Sequence, residues 1–380
     1  MARLNLRRSL PRLEALEKRE VMSAGGPSAE AQYMLERMNW ARQDPSAAAH
    51  WVTNNLDPNT VATVNYYGVD LNQVDQQISS ISSRPPLAWN DNLAQAAQWQ
   101  SQDQANTGVQ SHVGSDGSTI DQRLNRFGYV NRQVDGENAY AYAQSVDHAL
   151  EAFMIDWGVA DQGHRKNIMQ PDQSQPSYRS VGIGIVQTNK SNIGPMVVTQ
   201  DFGRSYNSNP FVLGTVYQDL THDNFYQPGD GLGNVTVTAT NQQTGQSTSV
   251  QTWDAGGYQI RLSSGTYNIQ AMMNGQVVGN QQVTVGSENV QADFVVNNPP
   301  QAQSTPTPVA TVAAPVASNP PTSSQPTQTV TNQPTINPAS APTPAAVVSI
   351  PTRSTIQIPT QTVTPTSTPW SWQAWSGSSN

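Results

Sequence analysis

Asp219, Thr221, Asp223 and Asp230 occupy positions 1, 3, 5 and 12 of the run Asp219-Leu-Thr-His-Asp-Asn-Phe-Tyr-Gln-Pro-Gly-Asp230, and the backbone carbonyl of Phe225 falls at position 7. A hard divalent cation takes oxygen donors at this spacing, so the loop is expected to hold calcium. Two departures predict a weaker site. Asn224 stands where such a loop takes glycine, although Asn tolerates the left-handed conformation. Asp230 stands where a longer Glu would bind through both oxygens. A second dense stretch, Gly163-His-Arg-Lys-Asn-Ile-Met169, carries more specific polar residues than a connector needs. Ser111-His112 and Asp135-Gly-Glu-Asn138 are two further polar clusters.

Helices must position most of these groups. Val146, Ala149, Leu150, Phe153, Met154 and Trp157 recur at the spacing of one helical face, with Ser145 as N-cap and Gly158 as terminator. Upstream, Tyr33, Met34, Met38 and Ala41 share a face of a first helix. Asp44-Pro45 reads as a cap followed by a first-turn proline, and Asn90 caps a helix bearing Leu93, Ala94, Ala97 and Trp99. A helical segment from Thr119 ends at Gly128. Asp135 to Asn138 reads as a polar knot between elements. Ser180-Val-Gly-Ile-Gly-Ile-Val186 and Gly194 to Phe202 read as strands. Helices followed by strands predict an α+β layered domain over 25–205.

From Asn209 the pattern changes to short strands at Val212–Tyr217, Val235–Ala239, Tyr258–Leu262, Tyr267–Met272 and Gln281–Val285. Their regular spacing predicts an all-β sandwich over 209–297. Beyond Asn298 the chain is Pro, Thr, Ser, Gln, Ala and Val, with Arg353 its only charge. Such a segment cannot bury enough apolar surface to offset chain entropy, so 298–380 reads as a disordered stalk ending in Trp370, Trp372 and Trp375.

The 380 residues carry a formal charge of −8 and no Cys. The first property leaves no basic face for a phosphate backbone, so nucleic acid is not an expected partner. The second removes disulfides, thiolate catalysis and Cys-type zinc sites together. No apolar run is long enough to span a bilayer as a helix. Residues 1–24 are basic, through Arg3, Arg7, Arg8, Arg12, Lys18 and Arg19, and lack a signal-peptide apolar core. The run Pro11 to Ser23 nonetheless resembles a short N-terminal export tag of bacterial surface proteins.

With Ser111-His112, Gly136-Glu137-Asn138 and Gly163-His164-Arg165-Lys166-Asn167-Ile168 in this order, residues 28–204 resemble the CAP superfamily. That superfamily unites cysteine-rich secretory proteins, antigen 5 and plant pathogenesis-related proteins, and the likeness is to its cysteine-free, SCP-like extracellular branch. The resemblance implies a three-layer α-β-α sandwich with a cleft lined by two histidines and two acids. His112, Glu137 and His164 match three of these, and Asp156 takes the place where the family has a glutamate. Asp is one methylene shorter, which questions its reach. Such a set could bind Zn²⁺ or a similar divalent ion, act as general acid and base, or form a buried hydrogen-bond network. His50 and His148 read as surface or packing residues, and Arg165 and Lys166 as solvated charges.

Residues 209–297 resemble the B-type repeats of Gram-positive adhesins and carboxypeptidase-regulatory-like sandwiches, through Gly256-Gly-Tyr258 and Gly265-Thr-Tyr267-Asn-Ile-Gln. Some of those repeats are cross-linked through a lysine, and this segment has none. The two resemblances imply an exported or surface-associated bacterial protein that binds a small lipid-like or peptide ligand, or an ion. A secreted hydrolase or protease and an adhesin with an idle cleft are the alternatives.

Overall fold

The computed structural model describes residues 26–206 and 209–300, all within one compact unit. The basic segment 1–24 and the segment after Pro300, with its three tryptophans, lie outside the described residues.

The N-terminal half runs α1 (Ala29–Gln43), α2 (Pro45–Asn54), α3 (Pro58–Tyr67), α4 (Leu71–Ser79), β1 (Ala88–Trp89), α5 (Asp91–Thr107), α6 (Ile120–Arg126), β2 (Arg132–Ala143), α7 (Val146–Ile155), α8 (Gly163–Met169), β3 (Ser180–Gln187) and β4 (Met196–Ser205). Local chemistry starts most of these helices at a side-chain cap. Ser28, Asp44, Asn90 and Ser145 each accept a backbone N–H from the first turn, satisfying donors that a helix end leaves unpaired. The strands form one sheet in the order β1-β3-β4-β2, with β2 antiparallel to β4.

Helices cover both faces. The glycines of β3 explain one layer: a Cβ at Gly182 would lie 1.9 Å from the Ala94 amide nitrogen, and one at Gly184 2.3 Å from that of Gln98. Only a strand without side chains there lets the α5 backbone settle so close. Ser101 of α5 then donates to the Gly184 carbonyl at 2.9 Å. On the opposite face Val181, Ile183, Val198 and Phe202 join Met34, Met38, Leu150 and Phe153 in one buried cluster. The result is the α-β-α arrangement that the resemblance implies.

Two local expectations change, and one unread stretch becomes helical. Asp135 to Asn138 lies inside the twelve-residue strand β2 and is fully buried, so it is ladder and not knot. Helix α7 ends at Ile155, and Asp156, not Gly158, takes the left-handed cap at φ 62°. The Asn- and Gln-rich stretch 58–79 forms α3 and α4, each started by an Asp cap.

The second half contains β5 (Phe211–Tyr217), β6 (Thr236–Asn241), β7 (Ser247–Gln251), β8 (Gly257–Arg261), β9 (Gly265–Met273), β10 (Gln276–Val285), β11 (Val290–Gln291) and β12 (Phe294–Val295). One sheet has the order β10-β9-β6-β7; the other places β5 between β11 and β12, with β8 also on β5. Inward residues such as Val216, Val237, Tyr258, Ile269 and Phe294 fill the space between them. The two halves share a seam. Asn289 donates to the carbonyls of Pro86 and Arg179 at 3.0 and 2.9 Å, and Tyr217 and Tyr226 are buried in the cluster that contains Met34 and Met38.

Candidate functional site: two histidine–acid pairs

His112 sits on the loop after α5, fixed by two buried glutamines of that helix. Gln100 donates to the Ser111 carbonyl at 2.5 Å and Gln104 accepts from the Ser111 amide at 3.2 Å. The imidazole Nδ1 meets Glu137 Oε1 at 2.8 Å, and the side chain remains 22% exposed while Glu137 is fully buried. Arg123 of α6, also fully buried, closes the group: its guanidinium pairs with Glu137 and donates to the His112 carbonyl at 3.1 Å. One cation thus fixes both the acid and the backbone of its histidine partner.

Burial alone would raise the Glu137 carboxyl, but the His112 hydrogen bond and the Arg123 charge outweigh it and hold it below its ordinary value. Asp201 faces Glu137 across the β2–β4 ladder and is buried completely. Burial, and then the Glu137 charge, push its carboxyl well above the usual range, so a neutral acid stands beside an ionised one. Arg123 and Asp201 escaped the sequence reading. The available signal was an acid inside an otherwise apolar strand, which demands a partner.

The second pair is His164 and Asp156. Because Asp156 is left-handed, its carboxylate turns back over the start of α8: Oδ1 lies 2.7 Å from His164 Nδ1, and Oδ2 accepts the Arg165 amide at 3.1 Å. The shorter acid therefore reaches its histidine. His164 is buried against Phe153, with Nε2 unpaired among the described residues beside a cavity of about 10 Å³, room for about one water. Arg165 is not a solvated charge; it is buried and donates to the Met154 and Ile155 carbonyls at 2.5 and 2.7 Å, finishing the end of α7. Lys166 is exposed.

The asparagines of the two motifs sew them together. Asn167 donates to Asn138 Oδ1 at 2.8 Å and to the Glu137 carbonyl at 3.3 Å, while Asn138 donates to the His164 carbonyl at 3.2 Å. Adjacent residues on a strand point to opposite faces. Glu137 accordingly reaches α6, and Asn138 reaches α8 and Gln200, whose amide meets Met34 and Met38 of α1. Each histidine thus bonds its own acid, His112 to Glu137 and His164 to Asp156. Among the described residues no three His, Cys, Asp or Glu side chains assemble as a metal site.

His148 is a packing residue, stacked on Trp157 with ring centroids 5.8 Å apart, and His50 is exposed. In the loop of the second half, Asp219 accepts the amides of Asp223 and Asn224, Asp223 accepts that of Phe225, and Asp230 accepts that of Gln227. The three carboxylates are committed to the loop's own backbone. Thr221 donates to Asp219 at 3.4 Å, and Phe225 packs edge-on to Trp40 of α1. Among the described residues the three aspartates do not group as a metal-binding cluster.

Residues 35–202 match the cysteine-rich secretory protein family, CAP, and residues 226–297 the carboxypeptidase regulatory-like domain. The chain therefore carries a CAP domain followed by a carboxypeptidase regulatory-like domain. Among solved structures it is similar to an extracellular protein containing a SCP domain from Bacillus anthracis, at 24% identity over 40% of this chain and 44% of the other, with a TM-score of 0.26. It is also similar to BmVAL-1, at 16% identity over 48% of this chain and 80% of the other, with a TM-score of 0.23. The chain thus spans under half the length of the first of these. No curated protein matches it.

Proposed function

We propose that this is an exported, surface-displayed CAP-domain protein that binds a small lipid-like or peptide ligand at His112 without consuming it. The observation that carries the reading is the asymmetry of the imidazoles: His112 is partly open and held in one orientation by Glu137, whereas His164 is buried. A fixed, accessible imidazole is a specific hydrogen-bonding partner at low entropic cost. Turnover by a serine finds no support beside it. The Ser111 hydroxyl donates to the Val113 carbonyl at 2.8 Å and accepts the Val113 amide at 2.9 Å, so it is spent on its own turn.

A hydrolase is the second reading, favoured by the same His112–Glu137 contact, since an acid that orients a histidine is the arrangement of a general base. One set of measurements separates the two. Purified protein is titrated with a fluorescent fatty acid and a peptide library, then incubated with chromogenic esters and peptides. Binding lost in His112→Ala, with no cleavage in either protein, is the expected result. Cleavage that disappears in a folded His112→Ala protein establishes the hydrolase. Surface proteolysis of intact cells tests display.

A further inference from the structure

Helix α1 has a second face that its apolar stripe does not explain. Gln32, Glu36, Trp40 and Gln43 recur at helical spacing, and both Gln32 and Glu36 are buried although polar. They are buried by the second half of the chain. Gln32 donates to Thr215 Oγ1 at 3.1 Å and to Glu36 Oε1 at 2.8 Å, and Gln291 donates to Glu36 Oε2 at 2.7 Å. The Thr215 hydroxyl also donates to Glu36. The Glu36 carboxyl is thus held by three neutral donors and, among the described residues, by no cation, whereas a buried charge is normally paired with its opposite.

Glu36 opens onto a groove of about 350 Å³ between α1 and the loop that carries the calcium-like spacing. Asp293 contributes a second carboxylate to this groove, and among the described residues no Lys, Arg or His lines it. The walls are two edge-to-face aromatic pairs: Trp40 with Phe225 at 6.0 Å and Tyr217 with Tyr226 at 5.9 Å. Tyr226, a residue of the groove wall, is only 2% exposed, and its buried hydroxyl has no hydrogen-bond partner among the described residues. The rings at this seam already hold one cation. The Arg37 guanidinium carbon lies 3.8 Å from the Phe225 centroid and 5.7 Å from that of Trp40, outside the groove lining.

We infer that this groove is a binding site for an alkylammonium group, the charged end of a lysine side chain or of a free amine. Ring faces attract a cation electrostatically, and the carboxylates supply its counter-charge, Glu36 from a buried position and Asp293 from the exposed rim. Tyr226 adds an idle hydroxyl to receive one ammonium proton. Two carboxylates among aromatic walls offer too few oxygens for calcium, which takes six to eight. The loop from Asp219 to Asp230 then acts as the wall of an organic-cation site, with Phe225 its contribution. The site is separate from His112, and its test leaves that reading untouched.

Glu36 supplies a pH signature. Burial, then the Asp293 charge, raise its carboxyl to about 8. Tyr217, Tyr226 and Tyr258 are the other titratable groups that face it, and Thr215, Gln32 and Gln291 bond it. The empty groove therefore holds a proton on Glu36 below that pH, and an arriving ammonium expels it. An alkylamine remains charged until about pH 10.

The experiment is calorimetric titration of the full chain with n-butylammonium chloride and with Nα-acetyl-lysine methylamide, using the Nε-acetylated form and calcium chloride as controls. Saturable binding of the amines, absent for the acetylated form and tightening from pH 6 to 8.5, is expected. The tighter of the two amines identifies a side chain or a free amine as the source. Asp293→Asn and Glu36→Gln should each weaken binding about tenfold, equivalent to about 1.4 kcal/mol. If Glu36→Gln does not fold, Asp293→Asn at the exposed rim decides alone. Absence of saturable amine binding, unchanged affinity in the folded variants, or a calcium isotherm in place of the amine one overturns the assignment.

Discussion

The two histidine–acid pairs use the same chemistry on opposite faces of one sheet and end in different states. His112 and Glu137 are joined by a buried guanidinium, and the imidazole reaches the surface. Among the described residues no guanidinium bonds Asp156, although the buried Arg165 charge acts on it; the carboxylate is completed by an amide of α8, and the imidazole is sealed against Phe153. A cation that neutralises the acid frees its histidine to face outward, whereas an acid completed by backbone turns its histidine into part of the helix junction. The first pair is built to present a group and the second to hold two helices.

The harshest way to break this contrast is to remove the cation. Arg123→Leu leaves Glu137 buried without its charge partner beside Asp201, and unfolding by denaturant should show a loss of about 3–5 kcal/mol. A loss below about 1 kcal/mol would mean that Arg123 does not hold the site. On the other face, Asp156→Ala removes two buried hydrogen bonds and puts in the left-handed region a residue that tolerates it less than Asp does, with an expected cost of about 2–4 kcal/mol. Asp156→Gly should recover about 1 kcal/mol of that, the backbone share. Equal losses in the two variants would show that the conformation of residue 156 carries no strain.

The smallest effect is in pH. Glu137 has a folded value below its unfolded one, near 4.5, so its contribution is complete above about pH 4.5 and is lost as pH falls through the lower folded value. Asp201 is raised, so its contribution is present below its unfolded value near 3.8 and fades as pH rises through the folded value. Melting curves of Asp201→Asn from pH 3 to 7 should rise relative to the parent toward neutral pH. A constant difference across that range would contradict the assignment of opposite directions to this pair.

What could be read in the sequence was whatever local chemistry decides. Ser28, Asp44-Pro45, Asn90 and Ser145 cap helices through contacts three residues away, and the spacing of Phe153 and Leu150 needs no tertiary knowledge. The same Asp-Pro signal recurs at Asp57-Pro58, where it opens α3 in a stretch whose polar composition concealed it. The motifs carried by His112, Glu137 and His164 were visible, but their grouping was not. It depends on Glu137 and Asn138 being consecutive positions of a strand, and that is evident only once the polar run is known to be ladder. The loop from Asp219 shows the converse: side-chain spacing was legible, while the demand of its amides for those carboxylates was not. Gln32 and Glu36 carried no signal of their own because their partners lie far along the chain.

That separation sets an order of events for the seam. Gln32 waits for Thr215, 183 residues later, and Glu36 for Gln291, 255 residues later. At a synthesis rate of about 5–20 residues per second, the outer face of α1 stays incomplete for roughly 10 to 50 seconds. An apolar stripe left bare for so long would invite association with other chains. A stripe of amides and a carboxylate is content in water until its partners arrive, so the polar character of the finished seam doubles as protection during its assembly.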